Sequence, residues 1–380
     1  MTKPNDTIIT RIGEYLGGLT SRARGSLLVE IERMQQYGDE VPGSDIVLAQ
    51  LRAEFPNNGQ PHTRLSEPAR LFFKSIDSLI VDRSPERANS GEISRGSVPA
   101  VWDWINQVLL PSMAGEYCEK VKRAPRSDPI PVAALVTGFQ FKVVKCLDGL
   151  LADEDGMATA RTGLGQFTSS RAALNDLTKI QVALRMAEPM AAFATALPVR
   201  VKKLDGDPLT KIKAGLDGLT AKHPDAIPFA LTLVMQHLET PWQVAHLATR
   251  FSRSKAIEDV KATRYALGIS MALDIVDDKR LMLRRALKTN RVVVAKDLLT
   301  GIYDIERALR RDIDQFDQSD WGRRLDELMA GVAADLQTEL KTLPGKTQHV
   351  LGSLRRHRSS SGLLSSFVQR SRDLIGIGAG

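Results

Sequence analysis

Three carboxylates in the second half of the chain have the spacing of a metal-binding helix face. Asp274, Asp277 and Asp278 lie at positions i, i+3 and i+4, so a helix would carry them on one side. Oxygen ligands in this arrangement suit a hard divalent cation such as Mg²⁺, which often links carboxylates to a substrate diphosphate. This spacing therefore raises the hypothesis of a Mg²⁺-dependent helical enzyme.

A second acidic group follows at Asp314, Asp317 and Asp320 and could face the first. Together the two groups are similar in outline to the paired aspartate-rich motifs of helical polyprenyl diphosphate synthases. The resemblance implies prenyl transfer with Mg²⁺, or chemistry on another phosphorylated substrate. The first group reads DxxDD where that family has DDxxD, and the rest of the chain does not match the family.

The alternative interpretation of the aspartates is local. Asp277 or Asp278 would accept hydrogen bonds from the backbone N–H groups of a helix predicted to begin at Lys279, and would pair with Lys279, Arg280 or Arg284. Carboxylates are common at helix starts because they interact favourably with the positive end of the helix dipole. We favour this capping role and keep the metal site as the alternative.

Other residue types give no catalytic constellation. His237 and His246 are nine residues apart around a proline, which does not fix two imidazoles on one metal. Cys118 lies near lysines that could lower the pKa of its thiol, but without an identified histidine partner we predict a structural role. No nucleophile elbow, phosphate-binding loop or dinucleotide motif occurs. We therefore predict no catalytic residue and no cofactor, with Mg²⁺ only under the alternative.

The surplus positive charge lies at the end of the chain. The formal net charge is +7, and residues 341–380, the basic tail, hold seven Lys or Arg and one carboxylate. The first 340 residues are therefore almost neutral. Any electrostatic attraction to an anionic partner is accordingly expected in the basic tail.

The basic tail combines arginines with a short apolar stripe. Such a helix can lie in a membrane interface with its guanidinium groups on lipid phosphates, or dock into a groove on a protein partner. Nucleic acid is a weaker alternative, since stacking aromatics are nearly absent, and packing on the body is a further one. The residues predicted to bind are Arg355, Arg356, Arg358, Leu364, Phe367, Val368, Arg370 and Arg372.

Hydrophobic periodicity predicts an all-α fold, a multi-helix bundle of irregular helical hairpins with a flexible basic tail. The clearest signal is Leu298–Leu340, where apolar residues recur every three to five positions and a polar stretch, 317–320, separates two helices. The proline-rich stretch 123–131 predicts a boundary. The resulting regions are 1–122 (N-terminal helical), 132–340 (main bundle) and 341–380 (basic tail, partly disordered).

Composition also bounds the location and the partners. Two cysteines, Cys118 and Cys146, suit a reducing compartment, and the N-terminus lacks the apolar core of a signal peptide. The longest apolar runs are shorter than the roughly 20 residues that cross a bilayer. We therefore expect a cytoplasmic helical scaffold or adaptor, peripheral on the inner face of a membrane or bound to a protein partner, with self-association of its body as a further expectation.

Overall fold

The computed structural model describes residues 65–124, 129–289 and 291–341, together with Leu27, Ile31, Val47, Leu48 and Leu51. These residues are mostly helical, with one short pair of two-residue strands, which confirms the all-α prediction. Contacts divide the described residues into two compact units. The first contains the residues up to Ala88 and Ile93–Arg185, and the second contains Asn89–Glu92 and the residues from Met186 onward.

The first unit is built from six α-helices and one short pair of parallel strands among its described residues. The strands are β1 (Ile80–Val81) and β2 (Ile93–Ser94), with Ile80 opposite Ile93. The helices are α1 (Glu67–Phe73), α2 (Val98–Trp104), α3 (Pro111–Arg123), α4 (Pro129–Leu150), α5 (Glu154–Leu164) and α6 (Ala173–Arg185).

Aromatic side chains form the core of the first unit. Phe72 lies 5.5 Å from Trp102 and 5.4 Å from Phe139, measured between ring centroids. The Tyr117 ring stacks on Phe139 at 4.5 Å, and its hydroxyl donates to the backbone oxygen of Pro68 at 2.9 Å. The aromatic pairs join α1, α2, α3 and α4 around one apolar cluster, in which the Tyr117 hydroxyl has a hydrogen-bond acceptor.

The start of the first unit corrects two sequence expectations. The apolar spacing over 65–81 predicts a single helix with Ser66 as its cap. The structure instead has α1, a 3₁₀ segment (Lys74–Leu79) and β1, and Ser66 does cap α1 by accepting from the N–H of Ala69 at 3.4 Å. The polar stretch 83–97, predicted as a surface loop or linker, contains the buried strand β2. A two-residue strand is too short to show alternation in the sequence.

The proline-rich stretch 123–131 lies between α3 and α4, and these two helices contact each other within the first unit. Prolines here therefore connect neighbouring helices, since a proline cannot continue a preceding helix but fits the first turn of the next one. The contacts instead place the division of the chain at Arg185 and Met186.

The exposed helix α4 changes the assessment of membrane propensity. Ile130–Leu150 is long and apolar enough to cross a bilayer by length and composition, the one such helix among the described residues, which corrects the estimate that every apolar run is too short. A third of its most apolar window is buried. Gln140 also donates its side-chain N–H to the Phe72 carbonyl at 2.5 Å, so α4 is a packed element of the first unit.

The buried Asp176 carboxylate links α6 to β2 and to the turn that follows it. The Asp176 carboxylate is fully buried and accepts from Ser97 Oγ at 2.7 Å, from the Ser94 N–H at 3.3 Å and from Lys179 Nζ at 3.3 Å. Burial raises the pKa of Asp176, and these three donors oppose the rise. Donors from α6 and from the β2 region thus satisfy the buried carboxylate in place of water.

The second unit is built from eight α-helices among its described residues, joined by 3₁₀ segments. The helices are α7 (Ala187–Ala196), α8 (Gly206–Lys222), α9 (Ile227–His237), α10 (Ala245–Phe251), α11 (Ile257–Lys261), α12 (Leu267–Lys288), α13 (Val292–Asp312) and α14 (Asp320–Lys341). The last three run up, down and up, and α12 packs on both α13 and α14.

The predicted hairpin over 298–340 is confirmed. The polar break lies between α13 and α14, where Ser319 Oγ accepts from the Gly322 N–H at 3.1 Å and so caps α14. Ile302, Ile305, Val332 and the other predicted inward residues of this pair that have a described side chain are buried or partly buried. The apolar stripes therefore identify the buried faces of both helices, and both helices pack on α12.

Replacing Asp176 by Ala should destabilise the first unit by about 3–5 kcal/mol, because the buried pair with Lys179 is broken and the Ser94 N–H and Ser97 hydroxyl lose their acceptor. Urea denaturation measures the change. Glu116→Ala, which removes a surface pair between Glu116 and Lys120 on α3, is the control and should have little effect. Equal stability of D176A and E116A would show that the buried pair does not hold the unit together.

Candidate functional site

Helix α12 does not place the three aspartates as the sequence predicted. It runs without interruption from Leu267 to Lys288, so Asp277 and Asp278 lie in its interior and cannot cap a helix that begins at Lys279. That prediction is wrong because a helix start needs a preceding break, and none of the residues before Lys279 supplies one. The DxxDD spacing does place the carboxylates along one continuous helix.

Asp274 is used in packing. Its Oδ1 accepts from Arg324 of α14 at 2.5 Å, and both side chains are partly buried. The described structure has a cleft lined in part by Lys213 and another lined in part by Arg70. None of the three aspartates lines either cleft. Among the described residues, no group of three or more His, Cys, Asp or Glu is arranged to hold a metal ion.

The second acidic group is also engaged in local pairs. Asp317 binds Arg310, Asp320 binds Arg323, and Asp314 lies exposed after α13. The Mg²⁺ hypothesis required the first three carboxylates to face a cavity opposite these residues. The geometry of the described residues gives that hypothesis no support.

The two histidines have separate environments in the second unit. His237 Nδ1 donates to the Pro198 carbonyl at 2.8 Å. His246 Nδ1 lies 3.5 Å from Asp312 Oδ2, and its ring is 5.3 Å from the Trp242 ring. Burial lowers the pKa of His246 by more than Asp312 raises it, and nearby Arg250 and Arg311 lower it further. Each imidazole therefore packs with its own neighbours.

Cys118 is partly buried on α3. Burial raises the pKa of its thiol, and the neighbouring charge of Lys122 only partly offsets this rise. A protonated thiol is a poor nucleophile and a poor metal ligand, so the predicted structural role fits the geometry.

The segment from Lys279 to Lys296 carries an uninterrupted surplus of positive charge. It holds seven Lys or Arg and no carboxylate. Arg280 pairs with Asp335 of α14 at 2.8 Å. Four other cations are exposed, and no ion pair or hydrogen bond links their side chains to another described residue: Arg284, Arg285, Lys288 and Arg291. The near-neutral charge of the first 340 residues thus conceals a local surplus.

Helix polarity accounts for only part of this surplus. Arg285 and Lys288 lie in the last turn of α12, where a cation interacts favourably with the negative end of the helix dipole. Arg291 occupies the N-cap position of α13, and the first turn of that helix contains no acidic residue. A cation at a helix start is unfavourable, and its side chain makes no capping bond. Helix stability alone therefore does not explain Arg291.

Large apolar side chains are exposed beside these cations. Val293 is 74% exposed, Val294 46% and Met282 56%. The sequence had predicted that the run 292–294 is buried helix. The helix is confirmed, but Val293 and Val294 face outward because the apolar stripe of α13 begins on the other side, at Ala295 and Leu299. We call Met282, Arg284, Arg285, Lys288, Arg291, Val293 and Val294 the α12–α13 tip.

The sequence carried a signal for the α12–α13 tip. Between Lys279 and Lys296 no carboxylate interrupts the cations, and three consecutive valines adjoin them. The net charge of the first 340 residues does not reveal this surplus, because carboxylates elsewhere in those residues balance it. The eight residues predicted to bind in the basic tail, Arg355, Arg356, Arg358, Leu364, Phe367, Val368, Arg370 and Arg372, lie outside the described residues.

Comparison with known proteins gives no match for this chain among family models, curated proteins or solved structures. The functional argument therefore depends on the residues and their geometry.

Stability should fall on acidification because of His246, whose folded-state pKa is lowered. The unfolded chain binds a proton below about pH 6.5 that the folded chain resists, so the stabilising effect is complete above this pH and is lost as the pH falls. His246→Gln should lose less stability than the wild type between about pH 7 and about pH 5 in urea denaturation. Parallel losses would show that His246 is not the titrating group.

Proposed function

We propose that this protein binds an anionic membrane surface through the α12–α13 tip, and that the basic tail provides a second contact. The single observation that carries the proposal is the presence of four exposed cations without described partners beside three exposed apolar side chains. The bundle of α12, α13 and α14 serves as the rigid support. The protein would then act as a peripheral scaffold or adaptor.

The apolar residues decide between a lipid surface and a nucleic acid. A phosphate backbone attracts cations equally well, but it offers no apolar environment to Val293, Val294 or Met282. A lipid interface accepts both kinds of side chain, since guanidinium groups reach the phosphates while aliphatic groups enter the acyl boundary. The mixed composition of the α12–α13 tip therefore favours lipid.

The magnitudes are adequate for reversible binding. Each Lys or Arg near an anionic bilayer contributes roughly 1 kcal/mol, and the burial of an exposed valine side chain contributes up to about 1.5–3 kcal/mol. The α12–α13 tip alone would give weak attachment. A second basic segment on the same chain raises the effective affinity because its encounter with the surface becomes intramolecular.

Replacing Arg284 and Arg285 by Gln should weaken binding to phosphatidylserine-containing vesicles about 30-fold in co-sedimentation, since two contributions of about 1 kcal/mol are lost. The matched control is K202Q/K203Q. This variant removes two neighbouring exposed cations of the same unit. They lie near the opposite end of α12, because Gln243 donates to the Lys202 carbonyl and the adjacent Val244 contacts Gly268 at the start of α12.

The control variant should bind vesicles almost as the wild type does. Equal weakening by both pairs would indicate general charge attraction and contradict the proposal. If R284Q/R285Q keeps vesicle binding but loses binding to a DNA duplex, the α12–α13 tip is assigned to nucleic acid. Cleavage of the chain after Lys341 should lower vesicle affinity further, and an unchanged affinity would remove the basic tail from the proposal.

Replacing Val293 by Ser should weaken vesicle binding about fivefold, because an aliphatic contact of about 1 kcal/mol with the acyl boundary is lost. This loss should persist at high salt, which screens the arginines but not the apolar contact. Val199→Ser is the control, since Val199 is 93% exposed in the same unit and lies outside the α12–α13 tip. Identical binding of V293S and wild type would refute insertion of the valine.

A further inference from the structure

A cleft of about 600 Å³ opens on the second unit, away from the residues of the α12–α13 tip. Helix α8 contributes Lys213 and Asp217, and the end of α10 contributes Phe251. Arg253 follows α10, and the turn before α12 contributes Arg264 and Tyr265. A volume of this size falls in the range of small-molecule sites, which is roughly 300–1,000 Å³.

Asp217, one of the two carboxylates in the cleft lining, accepts hydrogen bonds from two donors. Asp217 accepts from Lys213 Nζ at 2.5 Å and from the Tyr265 hydroxyl at 2.5 Å, and Arg264 Nη1 lies 3.9 Å away. Burial raises the pKa of Asp217, but the hydrogen bonds from Lys213 and Tyr265 more than offset this, so the pKa is lowered overall. Its negative charge is therefore balanced by Lys213 and does not exclude an anion.

Two guanidinium groups remain for a ligand. Arg253 is exposed, and no ion pair or hydrogen bond links its side chain to another described residue. Arg264 donates from Nη1 to Thr220 Oγ1 at 2.9 Å, which leaves its other N–H groups available. Asp259, also in the lining, is occupied by Ser254 Oγ at 2.5 Å. Guanidinium forks match the oxygens of phosphate and carboxylate groups.

An aromatic wall adjoins these arginines. The Phe251 and Tyr265 rings meet edge to face at 5.6 Å between centroids. Lys213 Nζ lies 5.2 Å from the centre of the Phe251 ring, so this ring already accepts a cation. A flat apolar surface next to two donor forks suits a ligand with a planar ring on one side and an anionic group on the other.

We infer that this cleft binds a small soluble anion that carries a planar aromatic ring, with Arg253 and Arg264 on its anionic group and Phe251 against its ring. The site is separate from the α12–α13 tip, because it shares none of its residues. A ligand can bind in this cleft without a membrane, so the inference is tested in the absence of vesicles.

The test uses phenyl phosphate as the probe, titrated into the full chain by isothermal calorimetry, with inorganic phosphate and benzoate as comparison probes. Phenyl phosphate should bind saturably and more tightly than inorganic phosphate, which has no ring. Arg253→Gln should weaken it about tenfold, as expected for loss of a charge-assisted hydrogen bond. Benzoate binding as tightly as phenyl phosphate would assign the site to carboxylates within the same inference.

Two further variants keep the test specific. Arg250→Gln removes an exposed cation three residues away that is not part of the cleft lining, and should leave binding unchanged. Phe251→Leu keeps an apolar side chain and should abolish the preference for phenyl phosphate over inorganic phosphate. Absence of saturable binding, equal effects of R253Q and R250Q, or an unchanged preference in F251L would each overturn the inference.

Discussion

The parallel contact between α12 and α14 is the interaction on which the second unit depends. It is fixed at three successive levels: the Trp321 indole N–H donates to Ser270 Oγ at 3.2 Å, Arg324 pairs with Asp274, and Arg280 pairs with Asp335. Gly331 allows the last pair, since a Cβ there would lie 2.3 Å from Arg280 Cζ. The three levels set the register of the two helices, while the apolar residues beneath them supply most of the stability.

This register also determines which charged side chains form ion pairs within the bundle. Asp274 and Asp335 each pair with a partly exposed arginine of the opposite helix, so Asp274 could join a metal site only by leaving Arg324 unpaired. The cations Arg284, Arg285, Lys288 and Arg291 of the α12–α13 tip pair with no described carboxylate, so this end of α12 keeps a surplus of positive charge.

The two units treat polar groups differently. In the first, the most buried charge, Asp176, is surrounded by donors from its own unit, and Gln140 likewise serves to join α4 to α1. Such satisfied networks rigidify a core. In the second, Arg253 and the four cations of the α12–α13 tip face solvent without described partners. Exposed groups of that kind contribute little to folding, which makes them better candidates for binding.

The amino-acid sequence by itself determined the helical class, the apolar faces of α13 and α14, the break between them and the cap at the start of α1. These features depend on residues within one or two helical turns of each other, so their spacing is sufficient. The i, i+3 and i+4 spacing allows Asp274, Asp277 and Asp278 to lie along one helix, but the sequence favoured a helix start at Lys279, which the unbroken helix α12 contradicts, and it does not indicate what faces these residues. That the partner of Asp274 is Arg324, fifty residues away, follows only from the packing of α12 on α14.

Tertiary structure also decided the exposure of Val293 and Val294, the buried strand β2 and the unit boundary at Arg185 and Met186. An apolar run of three residues has the same appearance whether it faces the core or solvent, and a two-residue strand exists only through its pairing with β1. Burial and charge pairing are properties of contacts between distant segments. For this reason the sequence showed which helices form, and the fold alone determined which of their side chains remain available to bind.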